Sequence, residues 1–209
     1  MNQIAIGGLT AASSAQRPSQ RALAKRHTRE KVLAAGKRLF AERGYDGATI
    51  RDIAGLAGMS TGAIFASFAD KSDLFGEILA TEQDALLAAM RQARGARAGG
   101  QAVIAMLEAA AERHMAELGL LQAAMSTLWT PQLGAQTRRR FGQRAVLGLI
   151  AGALRDACAD IDAEGAAEMI WDAYLPTLRR AALDGLALDV VKARIREQTR
   201  IILAGHRQT

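Results

Sequence analysis

The sequence predicts an all-α protein of about nine helices, with a small N-terminal three-helix unit followed by a larger helical domain. Half of the 209 residues are hydrophobic, and alanine and leucine dominate them, a composition that favours helix. No alternating β-branched run occurs. The three prolines, Pro18, Pro131 and Pro176, leave long stretches in which apolar residues recur at three- and four-residue spacing.

Taken in order, residues 1–26 are rich in Ala, Ser, Gln and Gly, with Arg17, Arg21, Lys25 and Arg26 toward their end. This composition predicts a flexible basic arm, either an unstructured leader or a segment that reaches phosphates or the minor groove. The first helix is expected over 29–43 with Thr28 as N-cap, and Gly44 follows its last turn. Thr49, with Asp52 three residues on, predicts the start of a short second helix. Ser60 caps a third, and Asp70 caps a fourth that runs to about residue 94, where Gly95 ends it. Further helices are expected over 101–117, 119–129, 133–159, 163–184 and 188–205.

Charge is distributed unevenly. Residues 1–75 hold 11 Lys/Arg against 6 Asp/Glu, whereas 76–209 hold 16 against 15, so most of the +6 net charge is N-terminal. Such a basic excess suits either a nucleic-acid surface or simple solubility. Cys158 is the one cysteine, so no internal disulfide forms, and its expected role is that of a small buried hydrophobe. His27, His114 and His206 are far apart in sequence. No metal-ligand spacing, phosphate loop or nucleophile–base pair stands out. No metal, cofactor or catalytic residue is therefore expected. No segment is long and apolar enough to span a bilayer, and the N-terminus lacks a secretory pattern, so the expected location is the cytoplasm.

The informative stretch is 49–68, TIRDIAGLAGMSTGAIFASF. Two short helices are joined by Ala57-Gly58-Met59-Ser60, in which Gly58 can take the positive φ of a tight interhelical turn. Ile53, Ala54, Met59, Ile64 and Phe68 can close a small core with Leu39 and Phe40. The third helix then keeps a face of small or polar residues, as a helix entering the major groove requires.

Leu39-Phe40, Gly44, Thr49, Ile53-Ala54, Ala57-Gly58-Met59-Ser60, Gly62, Phe65, Phe68, Lys71 and Leu74 together resemble the DNA-binding domain of the TetR family, over about 50 residues from Thr28. The resemblance implies a helix-turn-helix domain over 27–86, with the motif at 49–68, and a ligand-binding and dimerisation domain over 87–209. It implies that Thr49 and Arg51 approach phosphate or a base edge. Ser60, Thr61 and Gly62 would set the third helix's N-terminus on the DNA, Ala63, Ala66 and Ser67 would face the bases, and Lys71 would pair with a phosphate. Phe65 stands where the family usually has Tyr, so a hydroxyl-to-phosphate bond of about 1 kcal/mol is missing. Phe65 keeps its place in the DNA-binding set, but packing is its preferred role.

Beyond residue 80 the resemblance is one of layout alone. It implies a cavity for an unidentified small molecule, for which Met106, Met115, Leu121, Met125, Trp129, Phe141, Trp171 and Tyr174 are candidates, though plain packing is the commoner use of any one of them. It also implies a homodimer joined through the last two helices, with Ile170, Ala173, Thr177, Ala181, Val191, Ile195 and Ile202 as candidate interface residues. The implied function is that of a transcriptional regulator, usually a repressor, that leaves a pseudo-palindromic double-stranded operator when it binds its ligand. An all-α enzyme or carrier, or an interaction module that no longer reads an operator, are the alternatives.

Overall fold

A computed structural model of the chain describes residues 20–127, 143–158 and 160–206. These form nine α-helices and no strand: α1 Gln20–Gly47, α2 Ile50–Ala57, α3 Thr61–Phe65, α4 Lys71–Arg94, α5 Gly99–Ala116, α6 Leu118–Thr127, α7 Gln143–Arg155, α8 Ala163–Asp184 and α9 Leu188–Gly205. Helix α1 begins some nine residues earlier than the apolar pattern suggests, so the end of the expected arm is helical. The rest of that arm, residues 1–19, lies outside the described residues. So does the start of the helix expected over 133–159. Gly44, with φ 72° and ψ 176°, breaks α1 where a glycine stop is expected.

Two apolar cores organise these helices. The first gathers Val32, Leu39 and Phe40 of α1, Ile53 and Ala54 of α2, Ile64 of α3, Phe68, and Leu74, Phe75, Ile78 and Leu79 of α4. Phe40 and Phe75 meet edge to face, with ring centroids 4.7 Å apart. The second core joins α4, α5, α7, α8 and α9 through Met90, Met106, Val146, Ile150, Trp171, Tyr174 and Val191.

Helix α6 belongs to both. Its Leu120, Ala123 and Ala124 complete the N-terminal core, whereas Leu121 joins the second. The domain boundary expected near residue 86 is thus crossed by packing: α6, from the C-terminal part, closes the core beneath the helix-turn-helix. The approach is close enough to exclude a side chain. A Cβ on Gly119 would stand 2.2 Å from the carbonyl oxygen of Ala41 in α1.

Gly119→Val should therefore force the α1–α6 contact apart and lower stability by about 2–3 kcal/mol. Gly148→Ala, in α7 with nothing within 4 Å of the added methyl, should raise it by about 0.5–1 kcal/mol. Urea denaturation midpoints of the two variants check the pair. Equal and small shifts would mean that α6 does not lock onto α1.

Candidate nucleic-acid interface

Each helix around the turn is started by a side chain that satisfies free backbone N–H groups. Thr49 Oγ1 accepts from the Asp52 N–H at 3.1 Å and donates to Asp52 Oδ2 at 2.8 Å. Ser60 Oγ accepts from the Ala63 N–H at 3.2 Å. Asp70 Oδ1 accepts from the Asp73 N–H and the Ser72 hydroxyl, both at 2.8 Å, and Asp73 Oδ2 accepts from the Ala69 N–H at 3.0 Å. The Asp73 N–H and the Ser72 hydroxyl bonds favour the ionised carboxylate and hold the Asp70 pKa below its ordinary value.

The turn itself rests on Gly58 in the left-handed region, φ 68° and ψ 37°, with the Met59 N–H donating to the Ala54 carbonyl at 2.9 Å. Ile53, Ala54, Ile64 and Phe68 are buried, and this fixes which face of α3 looks outward. Thr61, Gly62 and Ala66 are exposed, Ala63 and Ser67 are half-buried, and Arg51 and Thr49 are exposed beside them at the start of α2. Seven expected contact residues are thus brought to the outer side of α2 and α3, and Ser60 makes an eighth. Arg29 steadies the far end of α3: its Nη1 donates to the Ser67 carbonyl at 3.1 Å, and its guanidinium lies 4.4 Å from the Phe68 ring centroid.

Two expectations change here. Phe65 is 54% exposed, so it is not a packing residue. Ile64 and Phe68 fill the core on either side of it and leave its ring standing on the outer face of α3. Lys71 is turned inward. Its Nζ donates to the carbonyls of Tyr45 at 3.0 Å and Ala48 at 3.2 Å and lies 4.3 Å from the Tyr45 ring centroid. Most of its bonding capacity thus ties the α1–α2 connection to α4, which the sequence pattern did not reveal because those carbonyls lie over twenty residues away. Its amine thus has a positioning role that was not expected, with two of its three N–H donors engaged.

The C-terminal candidates divide similarly. Met106, Leu121, Trp171 and Tyr174 are buried in the second core, and Met115 and Met125 pack against it. Trp129 and Phe141 lie outside the described residues. A cavity of about 40 Å³ opens between α4, α5 and α6, and among the described residues Leu121 is the one expected pocket residue that lines it. The polar groups there, Gln83 and His114, escaped the sequence reading. Gln83 is 7% exposed and its Nε2 has no hydrogen-bond partner. His114 Nδ1 lies 2.7 Å from the Tyr174 hydroxyl, whose ring stacks on Trp171. Burial, reinforced by the Arg113 charge, lowers the His114 pKa to about 4 and keeps the imidazole neutral.

Of the expected interface residues, Ile170, Thr177, Ala181, Val191 and Ile195 are buried within the protomer itself, and Ala173 and Ile202 are half-buried. Two apolar stripes run along each of these helices, and the stripe expected to meet a second copy faces the protomer's own core instead. The outward apolar residues are Met169, Leu183, Val190 and Ile201. Cys158, expected as a small buried side chain, is exposed. Among the described residues no group of His, Cys, Asp and Glu could hold a metal ion, and no helix is long and apolar enough to cross a membrane.

Residues 32–78 match the family model described as bacterial regulatory proteins, tetR family. The HTH-type transcriptional repressor AcnR of Corynebacterium glutamicum is 47% identical over 49 residues, which is 23% of this chain and 26% of AcnR. The chain therefore aligns with about a quarter of the length of the curated relatives it matches. Whole-fold similarity is wider. A TerR/AcrR-family transcriptional regulator of Aquifex aeolicus superposes with a TM-score of 0.67 at 22% identity, over 84% of this chain and 99% of that one. FadR of Bacillus subtilis, in complex with stearoyl-CoA, superposes with a TM-score of 0.69 at 16% identity, over 81% and 96%.

Lys71→Met should lower the unfolding free energy by about 1–3 kcal/mol without any DNA present, because two carbonyls are deprived of their donor. A lysine kept for phosphate alone would leave the denaturation curve unmoved. His114 gives a pH signature. Its folded pKa lies below its unfolded value near 6.5, so its contribution is whole above that value and is lost as pH falls toward 4. Denaturation at a series of pH values should show wild type losing about 3 kcal/mol more than His114→Gln over that window. Parallel curves would mean that the imidazole charges freely in the folded state.

Proposed function

We propose, from an N-terminal domain that belongs to the tetR family of bacterial regulatory proteins, that the chain is a sequence-specific DNA-binding transcriptional regulator. The observation that carries this reading is the outer face of α3. Its caps are satisfied, its core side is filled, and Thr61, Gly62, Phe65 and Ala66 stand exposed with Arg51 alongside. A helix so presented enters a major groove about 12 Å wide without displacing the domain's own core. Repression is the favoured direction, since AcnR and several other relatives matched over this domain are named repressors.

One recognition helix reads few base pairs, so a second copy is part of the reading. The exposed apolar residues of α8 and α9 support it. Met169, Pro176 and Leu183 recur every seven residues along one face of α8, and Val190 and Ile201 lie outward on α9. Pairing these helices with their copies would make a four-helix interface and set two α3 helices on one side of the dimer, matched to a pseudo-palindrome. A protein that reads an operator works where the chromosome is, in the cytoplasm.

Release by a small molecule completes the proposal. The unpartnered Gln83 Nε2 and the neutral His114 offer hydrogen bonds in a cavity walled by four leucines and bordered by Glu82, Arg113 and Glu117, next to the helix that closes the N-terminal core. A regulator that shares this fold is in complex with stearoyl-CoA, whose acyl chain is apolar, and the cavity of about 40 Å³ here must widen to admit an effector of that kind. A ligand that prefers the arrangement with α4 and α6 parted would shift the population away from the DNA-competent spacing.

Fluorescence anisotropy with the intergenic DNA upstream of the chain's own reading frame, against scrambled DNA over a salt series, tests the reading. Selective binding that falls steeply with salt is expected, with Arg51→Ala weakening it by about tenfold. Equal binding to the upstream and scrambled DNA, confirmed by failure to enrich any sequence from genomic fragments, would overturn it.

A further inference from the structure

Helix α1 starts with two turns that stand clear of the described cores. Leu23, Ala24, Lys25, Arg26 and His27 are all exposed, and no acidic residue occupies the first turn. Exposed Lys25 and Arg26 are what these turns present to an anionic partner outside the chain.

The position of these turns identifies that partner. Three interactions hold Arg29 at the end of the recognition helix: with the Ser67 carbonyl, with the Phe68 ring, and with Glu77 Oε2 at 3.3 Å. Arg29 is thus consumed internally and marks where α1 passes α3. Lys25 and Arg26 precede it by four and three residues, so they project within about 60° of the same helix face. At 1.5 Å per residue they stand about 5–6 Å further along α1, past the end of α3. Arg26 pairs with Glu30 at 3.2 Å, but with side chains 75% and 57% exposed that pair is worth only tenths of a kcal/mol and is readily exchanged.

We propose that the first two turns of α1 are a phosphate clamp, in which Lys25 and Arg26 neutralise backbone phosphates flanking the groove that α3 enters. The clamp rests on the DNA-binding reading above. It contributes affinity and register without reading sequence. Lys31, on the opposite face of α1 from Arg29, takes no part in it.

The test is a salt series with the DNA that wild type selects, comparing wild type, Lys25→Gln/Arg26→Gln and Lys31→Gln. Glutamine keeps helix propensity, and circular dichroism verifies that α1 persists. Each phosphate that is no longer neutralised makes the slope of log K against log salt shallower by about 0.9. The slope of the double variant should therefore be shallower by nearly two units per protomer, while the preference for selected over scrambled DNA is retained. Lys31→Gln should keep the wild-type slope. A wild-type slope in the double variant, or an equal change in Lys31→Gln, would overturn the clamp alone. Failure of wild type itself to bind selectively would take down both the clamp and the regulator reading.

Discussion

The contact on which the rest of the structure depends is the seating of α6 against α1. Gly119 has no room for even a methyl group before the Ala41 carbonyl, and Leu120, Ala123 and Ala124 supply apolar surface that the N-terminal helices lack among themselves. The helix-turn-helix is thereby not an independent bead on a string. Its core is finished by a helix whose opposite side, through Leu121, belongs to the C-terminal core. Close-packed interiors have no slack in which such a helix could shift alone. Any displacement of α6 is felt in α1, and through Phe40 and Phe75 in the helices that carry α3.

A charged seam reinforces that apolar one. Lys37 of α1 reaches Glu82 of α4 and Glu117 at the end of α5, both at 2.8 Å, and Arg113 of α5 reaches Glu82 at 3.2 Å. Partial burial works against the Lys37 charge, but hydrogen bonds and attraction from Glu117 and Glu82 outweigh it and raise its pKa. The seam borders the cavity that holds Gln83 and His114, since Glu82, Arg113 and Glu117 line it as well. Two cations and two carboxylates leave this rim close to neutral. Besides these charges, the neutral Gln83 and His114 and four leucines line it, and α6, which flanks it, also packs against α1.

Legibility from sequence followed the range of the interaction concerned. Caps and stops are local, so Thr49, Ser60, Asp70, Gly58 and Gly95 were readable, as were the bounds of α4, α8 and α9. The surface of α3 followed from these together with one apolar face. Whatever depends on a distant partner was not readable. Lys71 finds carbonyls from Tyr45 and Ala48, Phe65 is displaced outward because Ile64 and Phe68 take the core positions, and His114 meets Tyr174 sixty residues away. In α8 and α9 periodicity revealed two apolar stripes without saying which one faces home. On α9 the inward stripe is the one that shares a core with Val103, Met106 and Leu107 of α5, and Glu112 and Glu108 of α5 pair with Lys192 and Arg196 beside it.

The recognition surface itself is sparse, and this shapes how it can discriminate. Thr61, Ala63, Ala66 and Ser67 carry no amide or guanidinium, so α3 lacks the bidentate groups that read guanine or adenine. What remains are methyl contacts, a threonine hydroxyl, the exposed Phe65 ring and Arg51 on the neighbouring helix. Thymine methyls and sequence-dependent groove shape are what such a surface can sense. If, as proposed, two copies read one site, the spacing between them carries much of the discrimination, and that places the burden on the rigidity of the path from α3 through α1 to α6.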